Sequence, residues 1–78
     1  MTRDEIMKGL KEVFANVKPD LKVESIGEES LLREDLGLDS LTMLFLALAT
    51  EQKFNLQFDE GSNFQQVKDV IDSIEKKL

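Results

Sequence analysis

The sequence contains no cysteine, histidine, tryptophan or tyrosine, a single proline, and only ten basic residues against sixteen acidic ones over 78 positions. Each absence excludes something. Without cysteine there is no disulfide, no thiolate nucleophile and no zinc–sulfur site. Without histidine the commonest general base and metal ligand is missing, so neither an enzyme nor a metal centre is expected. An acidic balance has the wrong sign for gripping phosphates, so nucleic acid is not an expected partner. The longest apolar stretch, at about residues 41–49, is too short to cross a bilayer, and no transmembrane segment is expected. The polar start Met1-Thr2-Arg3-Asp4-Glu5 carries no secretory pattern, which sets the expectation of a cytoplasmic protein. A chain of this length reads as a single domain over residues 1–78, able to bury about 60 to 65% of its unfolded surface.

The net charge of −6 is unevenly spread. Residues 1–23 carry +1, residues 24–60 carry −7, and residues 61–78 balance. Glu24, Glu28, Glu29, Glu34, Asp35 and Asp39, against Arg33 alone, put −5 into the stretch that ends at Ser40. Such a centre suits a basic protein partner as readily as it suits simple solubility.

Hydrophobic spacing divides the chain into helices and loops. Thr2 with Glu5 three positions on has the form of a capping box. Ile6, Leu10, Val13, Phe14 and Val17 follow as one apolar stripe, predicting a helix over residues 4–18 that Pro19 ends. Residues 20–39 show no sustained period, yet Leu21, Val23, Ile26, Leu31, Leu32 and Leu36 are scattered through them. That pattern predicts a long loop pinned to the core, with one short turn near residues 30–34. A second helix is expected from Asp39 or Ser40 to about Lys53, apolar almost all round. Val67, Val70, Ile71, Ile74 and Leu78 mark a C-terminal helix, with Lys76 and Lys77 placed where cations suit its dipole. Phe54-Asn55-Leu56-Gln57-Phe58 alternates like a strand but has no partner strand, so it reads as a core-anchored connector. Residues 59–63 are turn chemistry with at most one helical turn.

The informative segment is Asp35-Leu36-Gly37-Leu38-Asp39-Ser40-Leu41. A calcium loop starting at Asp35 fails, because Ser40 stands where glycine is required and Leu46 where glutamate is required. A serine hydrolase fails for want of a base. On pattern alone, Asp39-Ser40 before an apolar run is an ordinary helix N-cap.

With its flanks included, the segment resembles the modification site of an acyl carrier protein. That family has an Asp-Ser-Leu triplet preceded by Leu-Gly-x at the head of the second helix of a four-helix bundle. Leu36, Gly37, Asp39, Ser40 and Leu41 match position by position. The frame matches over nearly the whole chain, from the first amphipathic helix to Val67-Lys68-Asp69-Val70-Ile71. The resemblance implies an all-α, three-to-four-helix bundle with a long first loop. It also implies that Ser40 is esterified by a 4′-phosphopantetheine arm from coenzyme A, whose thiol carries acyl groups as thioesters. The working thiol is then imported, which fits a chain without cysteine. Backbone N–H groups at a helix start favour the phosphodiester charge. Gly37 is expected to leave the backbone uncrowded for a modifying enzyme, and Asp39 to help position the transferase's metal. The implied partners are a phosphopantetheinyl transferase and acyl-loading and acyl-transfer enzymes, with the carrier a monomer. An aminoacyl or polyketide-type carrier is the alternative cargo. An unmodified interaction module docking through the second helix is the alternative of another class.

Two departures from the family stand out. Its second helix usually carries exposed acids, whereas here only Asp39 and Glu51 flank an apolar run. Met43, Leu46, Ala47, Thr50 and Phe54 are expected to face inward. Leu41, Leu44, Phe45 and Leu48, with Glu51, are then expected to contact partners, through burial more than charge. The competing arrangement tucks Leu44 and Phe45 against the loop. A carrier with such a face suits dedicated enzymes of a specialised pathway. Short or medium acyl chains are expected to be sheltered between the helices near Met43, Leu46 and Ile71. Secondly, Gly61 costs about 1 kcal/mol in a helix, so the short helix before the last one is expected to be shortened or fluctuating.

Overall fold

The computed structural model describes residues 1–59 and 63–78, so the expectation for the short helix at 59–63 falls largely outside the described residues. Among the described residues the chain forms three α-helices: α1 (Arg3–Val17), α2 (Ser40–Phe54) and α3 (Val67–Lys77). A 3-10 turn, Val23–Ser25, interrupts the first loop. The all-helical bundle expected from the sequence is what is found, each boundary within a residue or two.

Local chemistry explains those boundaries. The Thr2 hydroxyl accepts from the Glu5 N–H at 3.2 Å while the Glu5 carboxylate accepts from the Thr2 N–H at 2.9 Å, completing the capping box of α1. The last turn closes with the Lys18 N–H on the Phe14 carbonyl, one residue before Pro19. Asp39 caps α2. That helix ends at Asn55, whose left-handed φ of 55° suits an amide side chain. Before α3, the Asp69 carboxylate accepts from the N–H groups of Gln65 and Gln66.

Burial is divided unequally. α1 supplies Ile6, Leu10, Val13 and Phe14, and α3 supplies Val67, Val70, Ile71 and Ile74. The loop adds Ile26, Leu32, Leu36 and Leu38, so it belongs to the core as much as a helix does. From α2, the most apolar helix by sequence, only Leu46 and Thr50 are fully buried. Thr50 satisfies its hydroxyl by donating to the Leu46 carbonyl at 2.7 Å. Phe54, expected in the connector, instead ends α2, while Leu56 and Phe58 pack against the core in the connector and form no strand, as expected.

What the sequence does not show is how the loop is held. An isolated antiparallel bridge pairs Leu31 with Gln66. The Leu32 N–H reaches the Gln65 carbonyl, and the N–H groups of Val67 and Lys68 donate to the carbonyls of Ser30 and Glu28. Loop carbonyls therefore satisfy the orphan donors of the first turn of α3.

Several acids are spent on the same tasks. The carboxyls of Glu5, Glu12, Glu28, Asp39 and Asp69 all lie below their usual range. The leading causes are bonds from the Thr2 backbone, Lys53, Arg3, the Thr42 N–H and the Gln66 N–H respectively. A carboxyl depressed by folding contributes stability that is complete above its unfolded value and lost as pH falls through the folded one. Thermal melts should therefore be flat from pH 7 to about 5 and decline below about 4.5. A melting temperature that rises on acidification to about pH 3 would show that relief of the acidic surplus outweighs these bonds.

Candidate functional site

The loop winds into a turn just before α2. The Asp35 carboxylate accepts from the Leu31 N–H at 2.8 Å, and the Gly37 N–H donates to the Arg33 carbonyl at 3.1 Å. Leu36 and Leu38, on either side of Gly37, are buried at 8% and 2% exposure. Two anchored leucines thus fix where the chain must turn, and Gly37 makes the turn with φ at +69°. A Cβ built on Gly37 would meet nothing within 4 Å. Glycine stands there for its left-handed backbone, and the space beside it is open. Gly37→Ala should cost about 1 kcal/mol, lowering Tm by about 5 °C, and Gly37→Asn less. Equal melting temperatures for the glycine and alanine proteins would contradict the conformational reading.

From that turn the chain reaches Asp39, whose Oδ1 accepts from the Thr42 N–H at 2.8 Å. This bond chiefly holds the Asp39 carboxyl below its usual range, with a smaller contribution from the charge of Lys18 at the end of α1. Ser40 follows as the first residue of α2, exposed. Among the described residues its hydroxyl has no hydrogen-bond partner. Asp39 satisfies the Thr42 donor, and the Met43 N–H donates to the Asp39 carbonyl at 2.8 Å. A helix start leaves the first-turn N–H groups ahead of Thr42 without intrahelical partners. The site thus combines an accessible hydroxyl, a helix start that favours negative charge, and a lysine within electrostatic reach. A phosphodiester fits that combination.

The two faces of α2 separate as expected. Leu46 and Thr50 are sealed inside, with Met43, Ala47 and Phe54 half-buried. Leu41, Leu44, Phe45 and Leu48 are 60, 54, 53 and 48% exposed and share one face. The competing arrangement, with Leu44 and Phe45 folded against the loop, is not adopted. Beside Phe45 and Leu48 a groove of about 370 Å³ runs to Asn16 and Val17 of α1, with Ala49 and Gln52. Glu51 is half-buried, and its carboxylate accepts from the Phe58 N–H at 2.7 Å, tying down the exit of α2. Of the positions expected to shelter an acyl chain, Leu46 and Ile71 are 2% and 0% exposed and Met43 is half-buried. Lys18 and Arg3 were not singled out by sequence reading, because nothing local links Lys18 to Asp39 or Arg3 to Glu28. Among the described residues no group of three or more His, Cys, Asp or Glu could hold a metal ion.

An exposed hydroxyl at a helix start, on a well-packed helical frame, is an arrangement suited to carrying a covalently attached group. Relatives say which kind. No family model matches the chain. It is, however, 39% identical to the acyl carrier protein of Coprothermobacter proteolyticus, across 100% of this chain and 96% of that one. It is 40% identical to the acyl carrier protein of Wolinella succinogenes, across 90% and 93%. With that of Kocuria rhizophila it shares 32% identity, across 95% and 93%. The chain belongs to the acyl carrier protein family. Its function is to carry acyl groups, working with acyl-handling enzymes. Among the described residues no helix is long and apolar enough to cross a membrane.

Proposed function

We propose that Ser40 is the attachment point, esterified by 4′-phosphopantetheine transferred from coenzyme A. When bound, that arm supplies the thiol on which acyl groups ride as thioesters. The observation that carries the proposal is the exposed, unengaged Ser40 hydroxyl at the first position of α2, inside the Leu36-Gly37-x-Asp39-Ser40-Leu41 match. The backbone donors of the first turn and the positive end of the helix stabilise the phosphodiester. Asp39 orients the turn and offers carboxylate oxygen toward the transferase's metal ion. The chain contributes no catalysis of its own and acts as one domain, residues 1–78, in the cytoplasm where coenzyme A is the donor. Incubation with a phosphopantetheinyl transferase and coenzyme A should add one phosphopantetheine to the intact mass. No addition with any competent transferase would favour an unmodified docking module instead.

The partner-facing surface is the Leu41, Leu44, Phe45 and Leu48 face, with Glu51 at its far end. Their exposed fractions amount to roughly 400 Å² of apolar surface. That is about half of what each partner contributes to a standard stable interface, so it suits brief docking by a monomer better than a permanent dimer. The partners are acyl-loading and acyl-transfer enzymes presenting an apolar centre with basic residues toward the loop, in a pathway with dedicated enzymes.

A further inference from the structure

We propose that Arg3 is a positioning residue, a fastener that holds the loop leading to Ser40 against α3. Its guanidinium joins three carboxylates that two separate segments bring together. Nη2 donates to Glu28 Oε1 at 2.6 Å, Nε points to Glu28 Oε2 at 3.4 Å, and Nη1 donates to Asp72 at 2.8 Å and to Glu75. Glu28 belongs to the loop, and Asp72 and Glu75 belong to α3. Without a cation between them these acids repel one another across the seam that must stay closed. A single surface ion pair contributes little. Here one planar fork, 34% exposed, serves two elements at once, the arrangement in which arginine differs most from lysine.

The seam continues from Glu28 to Ser40 through backbone. The Lys68 N–H donates to the Glu28 carbonyl at 2.8 Å, and Gln66 Nε2 donates to that of Glu29 at 3.2 Å. The Val67 N–H holds Ser30, and the Leu32 N–H holds Gln65. From there the Leu38 N–H returns to the Leu32 carbonyl at 3.1 Å, two residues before Ser40. Releasing Glu28 lets this ladder open from its first rung, while Leu10 and Phe14 of α1 stay in the core that the helices share.

The test is amide hydrogen exchange on the whole chain, with modification kinetics as a second readout that rests on Ser40 being the attachment point. Arg3→Gln should speed exchange at Leu32, Val67 and Lys68 by on the order of tenfold, leaving Leu10 and Phe14 unchanged. Glu28→Gln should reproduce that pattern, and Arg3→Lys should fall between. The transferase should show a several-fold higher KM for Arg3→Gln with kcat nearly unchanged, since the loop must be reseated before Ser40 is reached. Unchanged exchange along the seam overturns the proposal, as does an equal rise at Leu10 and Phe14, which would mean plain destabilisation. Should the unaltered protein take up no phosphopantetheine, the attachment reading fails, while the exchange data still decide the role of Arg3.

Discussion

Ser40→Ala should abolish the gain of one phosphopantetheine in intact mass, with no fraction transferred to another hydroxyl. Each other described hydroxyl is either hydrogen-bonded within the fold or only half-exposed. Ser25 donates to the Lys22 carbonyl at 2.8 Å, and Ser30 accepts from the Gly27 N–H at 2.9 Å. Thr2 is inside the capping box and Thr50 is fully buried. Ser73 is half-buried in α3, and Thr42, also half-buried, lies in the first turn of α2 beyond the Asp39 cap. Ser40 is exposed and its side chain closes no bond in the fold, so its loss should change stability by less than about 0.5 kcal/mol. The experiment is therefore clean: circular dichroism and melting should match the unaltered protein while the mass shift disappears. A Ser40→Ala protein that still gains phosphopantetheine would move the attachment site elsewhere and overturn the proposal.

The contrast between legible and illegible parts has a physical cause. The capping box at Thr2 and Glu5, the stop at Pro19 and the stripes of α1 and α3 are local, set by residues within a few positions of one another. The turn at Gly37 is set locally as well, by buried Leu36 and Leu38 around a positive φ, although in the sequence Gly37 stood out only for an uncrowded backbone. α2 is different. Its apolar run has almost no moment, so spacing alone could not say which side is buried, and an all-round apolar helix normally reads as a fully buried one. Only the family frame pointed Leu46 and Thr50 inward. The loop's attachment to α3 was hidden for another reason. It depends on backbone carbonyls of residues 28–30 and on Arg3 meeting acids 25 to 72 positions away, and neither leaves a periodic trace. Glu51 shows the same limit: its carboxylate bonds the Phe58 backbone, a use that composition cannot reveal. The acidic surplus changes meaning accordingly. Glu28, Asp35 and Asp39 are engaged by Arg3, by the Leu31 N–H and by the Thr42 N–H, so part of the −5 before Ser40 builds the loop.

Phe45→Glu should lower kcat/KM for acyl transfer by about tenfold to thirtyfold while leaving the fold intact. Phe45 is 53% exposed, which for phenylalanine leaves roughly 100 Å² for a partner to cover. At about 25 cal/mol per Å² the upper limit of that contribution is about 2.5 kcal/mol, and incomplete coverage brings the expected loss below it. A carboxylate in its place must also be desolvated on docking. Because Phe45 lies outside the core, the melting temperature should barely move, which separates a docking defect from unfolding. Salt supplies the second readout. Docking through buried apolar surface should leave KM nearly constant as salt rises, whereas docking through the acidic loop should weaken steeply. Unchanged transfer by Phe45→Glu, or a KM that climbs with salt to the same extent in both proteins, would return recognition to Glu34, Asp35 and Asp39 and leave the apolar face of α2 without a role in it.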